Sequence, residues 1–332
     1  MTPTSGSAHA QAHPNLALIK YWGKRNRELN LPATGSLSIT LGALHTRTTV
    51  QFDNTLDADD IVLNGAHHVD PSGRISRFLD LVRTRAYTST HARVRSSNNF
   101  PTGAGLASSA SGFAALAVAA SHALGLPLTA RDLSCLARRG SGSAARSIFG
   151  GFVEMAAGTD DTGEDAVASP LLDAAEWPLE VVIALTDPTE KSVGSSAGME
   201  ISRRTSPFYQ AWVAANATGL ADARAAVQEC DFGKLADVSE ASCLAMHGVM
   251  LSSRPGLIYW NAATIECIHR IRAMRNSGIG VFFTIDAGPQ VAAVCLPGHA
   301  AVVADALRTV PQVQELLTSN LGPGARVIED IR

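Results

Sequence analysis

Asn98-Asn-Phe-Pro-Thr-Gly-Ala-Gly-Leu-Ala-Ser-Ser-Ala-Ser-Gly-Phe113 holds three glycines and three serines and runs straight into an alanine-rich apolar segment ending near Gly125 and Pro127. A small-residue loop at a helix start lets backbone N–H groups approach an anion, and the helix dipole adds partial positive charge there. The serine hydroxyls can meet phosphate oxygens or a phosphate-bound metal. The stretch therefore reads as a phosphate cradle. Two familiar cradles are excluded. No lysine follows a glycine at the spacing of the ATPase loop G-x-x-x-x-G-K-[ST]. The dinucleotide fingerprint also fails, because Gly103-Ala-Gly105-Leu-Ala-Ser108 lacks the third glycine, residues 93–99 are polar, and Asp132 comes late and opens another helix. A helix-packing site without a ligand is the bland alternative.

The bounds set by composition suit an enzyme. With 332 residues, two domains with ample apolar surface are expected. A hydrophobic content of 46% with 17% charged residues fits a globular chain. A net charge of −3 argues against general binding to nucleic acid or membrane surfaces, so anionic ligands must be met by local cations. Cys135, Cys230, Cys243, Cys267 and Cys295 form no C-x-x-C pair, which suggests reduced thiols of a cytoplasmic protein. The longest apolar run, residues 112–126, is too short to span a bilayer and contains Ser121 and His122. Residues 1–12 are polar, lack an apolar signal core, and are expected to form a disordered tail.

Periodicity predicts strands at 16–19, 36–41 and 46–52 and an amphipathic helix at 74–85 with Ile75, Phe78, Leu79 and Val82 on one face. The cradle helix follows. Thr129 can cap the next helix, with Asp132 three residues on, and Gly140 stops it. A second small-residue turn at 140–147 leads into a short helix, a strand at 152–155 and an acidic loop at 160–165. A buried strand is expected at 179–186, and the turn-rich run 187–198 is the candidate domain crossing. Helices at 207–228, 232–251 and 261–276 come next, followed by strand 280–285, strand 291–296, helix 300–310 and strand 326–329. That order suggests an antiparallel sheet covered on one side by helices, an α+β arrangement. The expected division is a tail at 1–12, a first domain at 13–187 and a second at 188–332.

Three further constellations could carry chemistry. Lys20-Tyr-Trp-Gly-Lys24-Arg25-Asn26 places three cations and two aromatics at the end of an apolar strand; a solvated turn with snorkelling lysines would look similar. Ser141-Gly-Ser143-Ala-Ala-Arg146 is another helix start with an arginine one turn in, suited to carboxylate or phosphate, though a cap beside a surface arginine is the simpler alternative. Phe282-Phe-Thr-Ile-Asp286-Ala-Gly-Pro289 delivers one acid at a buried strand end. Asp286 is an ordinary turn former unless it faces phosphates and Lys20, when it becomes a general base or positions a substrate hydroxyl. His247 lies on a helix and reads as packing or a cap. No His, Cys and carboxylate set has metal-ligand spacing. Gly194-Ser-Ser-Ala-Gly198 matches the hydrolase elbow, but polar residues 187–192 stand where that elbow needs an apolar strand, so the match is chance.

Taken together, the segments resemble the diphosphomevalonate decarboxylases of the GHMP kinase superfamily. The resemblance rests on Asn15-Leu-Ala-Leu-Ile-Lys-Tyr-Trp-Gly-Lys-Arg25 with Leu29-Asn-Leu-Pro32, on Ser97 to Ser109, on Ala137 to Ser147, and on Thr284-Ile-Asp-Ala-Gly-Pro289, in the family's order. It implies a GHMP kinase-like two-domain α+β fold, a ribosomal-S5-domain-2-like domain followed by a ferredoxin-like one, with the active site between them. It also implies ATP-dependent decarboxylation of mevalonate diphosphate through 3-phosphorylation, with ATP and Mg2+, in a cytoplasmic homodimer without nucleic-acid or membrane partners. Asp286 would orient or deprotonate the tertiary hydroxyl, with Lys20 beside it. The resemblance assigns ATP to Asn98, Pro101, Gly103, Ala104, Gly105, Leu106, Ala107, Ser108, Ser109 and Ser111, with Ser108 as a metal contact. It assigns the substrate to Tyr21, Trp22, Gly23, Lys24, Arg74, Ser141, Gly142, Ser143, Ala144, Ala145, Arg146 and Ser196, with Arg146 on the carboxylate. Gly103, Gly35 and Ser196 depart from the common alanine, polar residue and threonine. Superfamily neighbours that use mevalonate monophosphate, or only phosphorylate the 3-hydroxyl, are the enzymatic alternatives, and a silent nucleotide-binding protein is the non-enzymatic one.

Overall fold

The computed structural model describes residues 6–68, 72–101, 107–187, 189 and 191–329. In chain order the first half contributes β1 (Ser7–Ala12), β2 (Asn15–Ile19), β3 (Lys24–Asn26), β4 (Leu31–Pro32), β5 (Ser36–Thr40), β6 (Thr46–Phe52), β7 (Asp60–Leu63) and β8 (Ala66–His67). It continues with α1 (Arg74–Ala86), β9 (Ala92–Asn98), α2 (Ser108–Ala123), α3 (Ala130–Gly140), a 3-10 segment at Gly142–Ile148, β10 (Phe152–Met155) and β11 (Ala168–Leu172). The second half is β12 (Glu180–Leu185), α4 (Ser195–Thr205), α5 (Tyr209–Gln228), α6 (Phe232–Leu251), α7 (Ala262–Asn276), β13 (Val281–Thr284), β14 (Val291–Cys295), α8 (Ala300–Arg308), β15 (Glu315–Asn320) and β16 (Arg326–Ile328).

The first sheet has the order β16-β1-β6-β9-β7-β8 and carries α2 on one face. Alanines dominate α2, which is buried on nearly every side, so its backbone can approach the sheet closely. Residues 7–12 are not a loose tail. β1 lies between β6 and β16 and buries Ala8, Ala10 and Ala12, residues too small to raise the local hydropathy. Residues 93–99, read as polar, belong largely to β9: Ala92 and Val94 are buried while Arg93 and Arg95 pair outward with Asp53 and Asp60.

A second sheet, β11-β10-β5-β2, stands between the two halves of the molecule. Leu37 and Ile39 of β5 enter a core shared with α5, α6 and the third sheet, whereas Ser36 and Ser38 turn to the 3-10 segment. The third sheet, β13-β14-β12-β15, is antiparallel throughout. It is covered on both faces rather than one. Val182, Phe283 and Ala293 pack on α7 and α8, while Val181, Ile183 and Phe282 meet α5, α6 and the second sheet.

Two boundaries differ from the expected division. β12 pairs with β14 and β15, so it belongs with the later strands although it precedes residue 188. A continuous apolar run reports burial but not which strands will border it. β16 leaves the second half and pairs with β1 in the first sheet. Residues 195–198, the end of the expected crossing, form the first turn of helix α4. The Thr129–Asp132 capping box and the bounds of α6 agree with expectation.

Candidate active site

Strand and helix ends from both halves meet around a cleft of about 570 Å3. β2 ends at Ile19 and presents Lys20; β13 ends at Thr284 and presents Asp286 two residues later. Lys20 Nζ donates to Asp286 Oδ1 at 2.6 Å and to the Ala17 carbonyl at 2.8 Å. Lys20 is 1% exposed, while the Asp286 side chain is 27% exposed on the cleft wall. The arrangement offers a carboxylate to a ligand with a buried ammonium fixed behind it.

Arg146 is buried at the end of the 3-10 segment, and its partners are all neutral. Its Nε donates to Ser38 Oγ at 2.9 Å, its Nη1 to Ser36 Oγ at 2.5 Å and its Nη2 to Asn15 Oδ1 at 3.0 Å. Burial pulls its pKa down to about 10, opposed by the negative charge of Asp286. A buried guanidinium held only by hydroxyls and an amide lacks a counter-charge of its own, which suits an incoming anion.

Lys20, Lys24, Arg74, Arg146 and Lys191 line the cleft against the single carboxylate of Asp286, among the described residues. Burial, Arg74 and Arg27 lower the Lys24 pKa to about 8, and its Nζ reaches Ser196 Oγ at 3.3 Å. The Arg74 guanidinium donates twice to the Gly140 carbonyl and lies 4.6 Å from the Phe113 ring centre. Ser109, Ser141 and Ser143 form a chain of hydroxyls at 3.2 and 3.3 Å along the same wall. The Tyr21 hydroxyl is buried with no partner among the described residues, and burial raises its pKa. Trp22 lines the cleft and anchors its indole on Ser202 Oγ at 3.0 Å.

The N-terminus of α2 opens onto the cleft at Ala107, Ser108 and Ser109, with no side-chain cap and no acid in its first turn. Ser108 and Ser109 also border an adjoining, mainly apolar pocket of about 180 Å3 with Asn98, Val94, Ile75 and Leu116. Gly103, Ala104, Gly105 and Leu106 lie outside the described residues. No set of three His, Cys, Asp or Glu able to hold a metal exists among the described residues. A cation here would need phosphate oxygens plus a hydroxyl, and Ser108 is placed to offer one.

Not every expected residue faces the cleft. Ser111 is buried between α2 and β6, bonded to Thr46 Oγ1 at 2.6 Å. Ala144 and Ala145 are core residues. Gly23 adopts φ +129°, and a Cβ there would fall 2.0 Å from the Tyr209 hydroxyl, so its role is backbone shape. Pro101 borders neither pocket. Conversely, the cleft is also lined by Asn15, Lys191, Ser192, Ser195, Met199 and Met246. Asn15 opens the quoted strand motif. Lys191 sits in a polar run whose composition signals a linker and nothing more.

Comparison with known proteins bears on what this cleft is for. Residues 12–168 match the diphosphomevalonate decarboxylase-like N-terminal domain, and residues 181–324 the mevalonate 5-diphosphate decarboxylase C-terminal domain. Human diphosphomevalonate decarboxylase is 37% identical over 301 residues, covering 83% of this chain and 73% of that protein. The crystal structure of mevalonate diphosphate decarboxylase from Staphylococcus aureus is 38% identical with a TM-score of 0.92, covering 98% of each chain. The structure of MDDEF in complex with MVAPP, AMPPCP and magnesium is 41% identical with a TM-score of 0.91, covering 98% of this chain and 99% of that one. The architecture is thus the GHMP kinase-like two-domain fold.

Proposed function

The chain belongs to the diphosphomevalonate decarboxylase family, and on that premise we propose how its own cleft carries out ATP-dependent decarboxylation of mevalonate diphosphate. The products are isopentenyl diphosphate, ADP, phosphate and CO2. The observation that carries the reading is the buried Lys20 paired at 2.6 Å with Asp286 on a wall otherwise lined by cations.

Asp286 accepts the proton of the tertiary 3-hydroxyl as that oxygen attacks the γ-phosphoryl group of ATP. Lys20 holds the carboxylate in place and offsets negative charge as it moves between oxygens. Arg146 grips the substrate carboxylate, with Asn15, Ser36 and Ser38 fixing its orientation. The C3–O bond then breaks with departure of phosphate, and the carboxylate leaves as CO2 while its bonding pair forms the new double bond. Lys24, Arg74, Tyr21 and the hydroxyls of Ser141, Ser143 and Ser196 receive the diphosphate.

ATP lies across the N-terminus of α2, with its base toward the apolar pocket beside Asn98. Ser108 is the residue that would hold Mg2+, which would supply charge neutralisation for the phosphates. Phosphoryl transfer depends mainly on alignment and electrostatics, which fits a cleft rich in fixed donors. Division of the chain after β11, ahead of β12, is our proposed domain boundary. Exposed Phe208, Leu251 and Ile258 cluster near the ends of α5 and α6 and support a homodimer; five cysteines without disulfides support a cytoplasmic setting.

The test is a coupled assay of ADP and CO2 with mevalonate diphosphate and, separately, mevalonate monophosphate. Equal release of ADP and CO2 from the diphosphate is expected. ADP without CO2 would make the protein a 3-kinase, and faster turnover of the monophosphate would reassign the substrate.

A further inference from the structure

Helix α6 holds the backbone of Lys20 and that of Ile285, the residue before Asp286. β13 leaves its ladder at Thr284, whose cross-strand partner is Ala292, so the N–H and C=O of Ile285 must find partners elsewhere. Both find them on α6. The Ile285 N–H donates to Cys243 Sγ at 3.2 Å, and its carbonyl accepts from the Cys243 thiol at 3.5 Å and from His247 Nε2 at 3.4 Å. β2 ends in the same way at Ile19, and the Lys20 N–H donates to Ser242 Oγ at 3.0 Å.

Ser242 and Cys243 are neighbours, and His247 follows one turn later on the side of Cys243. One stretch of helix therefore anchors a strand end from each half of the molecule. Thr284 Oγ1 adds a direct tie, donating at 3.1 Å to the Ala17 carbonyl that also receives Lys20 Nζ. The His247 ring is buried and packs on Trp260 with centres 4.4 Å apart. Burial and the nearby Lys20 push its pKa down to about 3, so it is neutral under working conditions and keeps one N–H to donate.

We propose that Ser242, Cys243 and His247 are positioning residues that set the Lys20–Asp286 geometry through the backbones of Lys20 and Ile285. None of the three borders the cleft. They act on the alignment of the proton-accepting carboxylate, where an error of about 1 Å costs on the order of 100-fold in rate. This rests on the reading that Asp286 and Lys20 carry the chemistry.

The experiment compares Ser242→Ala, Ser242→Thr, His247→Leu, His247→Gln and Asp286→Asn in the full-length protein, measuring kcat, both KM values and the Kd for ADP. Ser242→Ala and His247→Leu are expected to lower kcat on the order of 10-fold with KM and Kd within about twofold of the parent. Threonine keeps the hydroxyl and glutamine keeps a donor at similar reach, so both should recover most of the loss. Parent-level kcat in the alanine and leucine variants overturns the proposal, as does failure of the conservative variants to restore it. If His247→Leu does not fold, the half-buried Ser242 pair decides. Near-normal turnover by Asp286→Asn overturns the underlying site reading instead, whatever the α6 variants do.

Discussion

Lys20 Nζ and Asp286 Oδ1 meet at 2.6 Å although 266 positions separate them in the chain, and they arrive on strands of different sheets. The lysine is sealed from water and the aspartate is not. Replacing Asp286 by Asn keeps an acceptor for the ammonium but removes the base. Turnover should fall about 10²- to 10⁴-fold. Nucleotide binding should hold, because the α2 end is a separate part of the wall. Loss of the charged partner should cost about 1–2 kcal/mol of stability. Steady-state kinetics, ADP titration and urea denaturation check the three outcomes.

Lys24 provides a pH signature. With its pKa lowered to about 8, it is charged below that pH and loses its charge above it, whereas an ordinary lysine holds on to 10.5. Diphosphate binding favours the charged form, so KM for the diphosphate substrate should rise between pH 8 and 10. Lys24→Arg stays charged throughout and should flatten that rise. The same burial penalises the folded state below about pH 8, and the penalty fades as pH climbs toward the unfolded value. A KM profile of the two proteins side by side checks the sign.

Gly142 marks a close approach. A Cβ built there would lie 2.4 Å from the Tyr21 hydroxyl and 2.8 Å from its ring. Gly142→Ala must therefore displace Tyr21 toward the cleft, at a cost of about 1–3 kcal/mol. KM for the diphosphate substrate should rise by on the order of 10-fold, more than KM for ATP. Melting curves together with both KM values separate the two effects.

Ser111 and Ser108 should behave differently despite their common place in the serine-rich stretch. Ser111→Ala breaks the buried contact with Thr46 and should cost about 1 kcal/mol while leaving KM for ATP unchanged. Ser108→Ala faces both pockets and should raise KM for ATP with little effect on melting. Thermal melts and ATP saturation curves of the two variants make the comparison.

These cases show what was legible in the chain. Lys20, Arg146, Asp286 and the start of α2 stood out because each combines a strand or helix end with a charged or small-residue signal, and the cleft brings them together. Ser111, Ala144 and Ala145 shared the motifs but point into the core, since a motif specifies a run of residues whereas helical geometry assigns their faces. β1 and β9 were hidden for opposite reasons. One is built of alanines too small to register, and the other carries arginines that pair outward. Lys191 was missed because linker-like composition conceals a side chain that folds back to the Ala287 carbonyl at 2.7 Å. The partners of β12 depend on strands more than 100 residues away, which no local pattern reports.

The pairing of β16 with β1 has a consequence for biosynthesis. β1 leaves the ribosome about 300 residues ahead of β16, and its outer edge stays open until β16 emerges. Throughout that interval the first sheet exposes the N–H and C=O groups of His9 and Gln11, the positions that β16 finally covers. The nascent chain thus carries an unprotected strand edge for the entire time that the second half is being made. Joining residue 329 to residue 6 by a short linker and opening the chain in an exposed loop would place the two strands near one another in synthesis and close that window early.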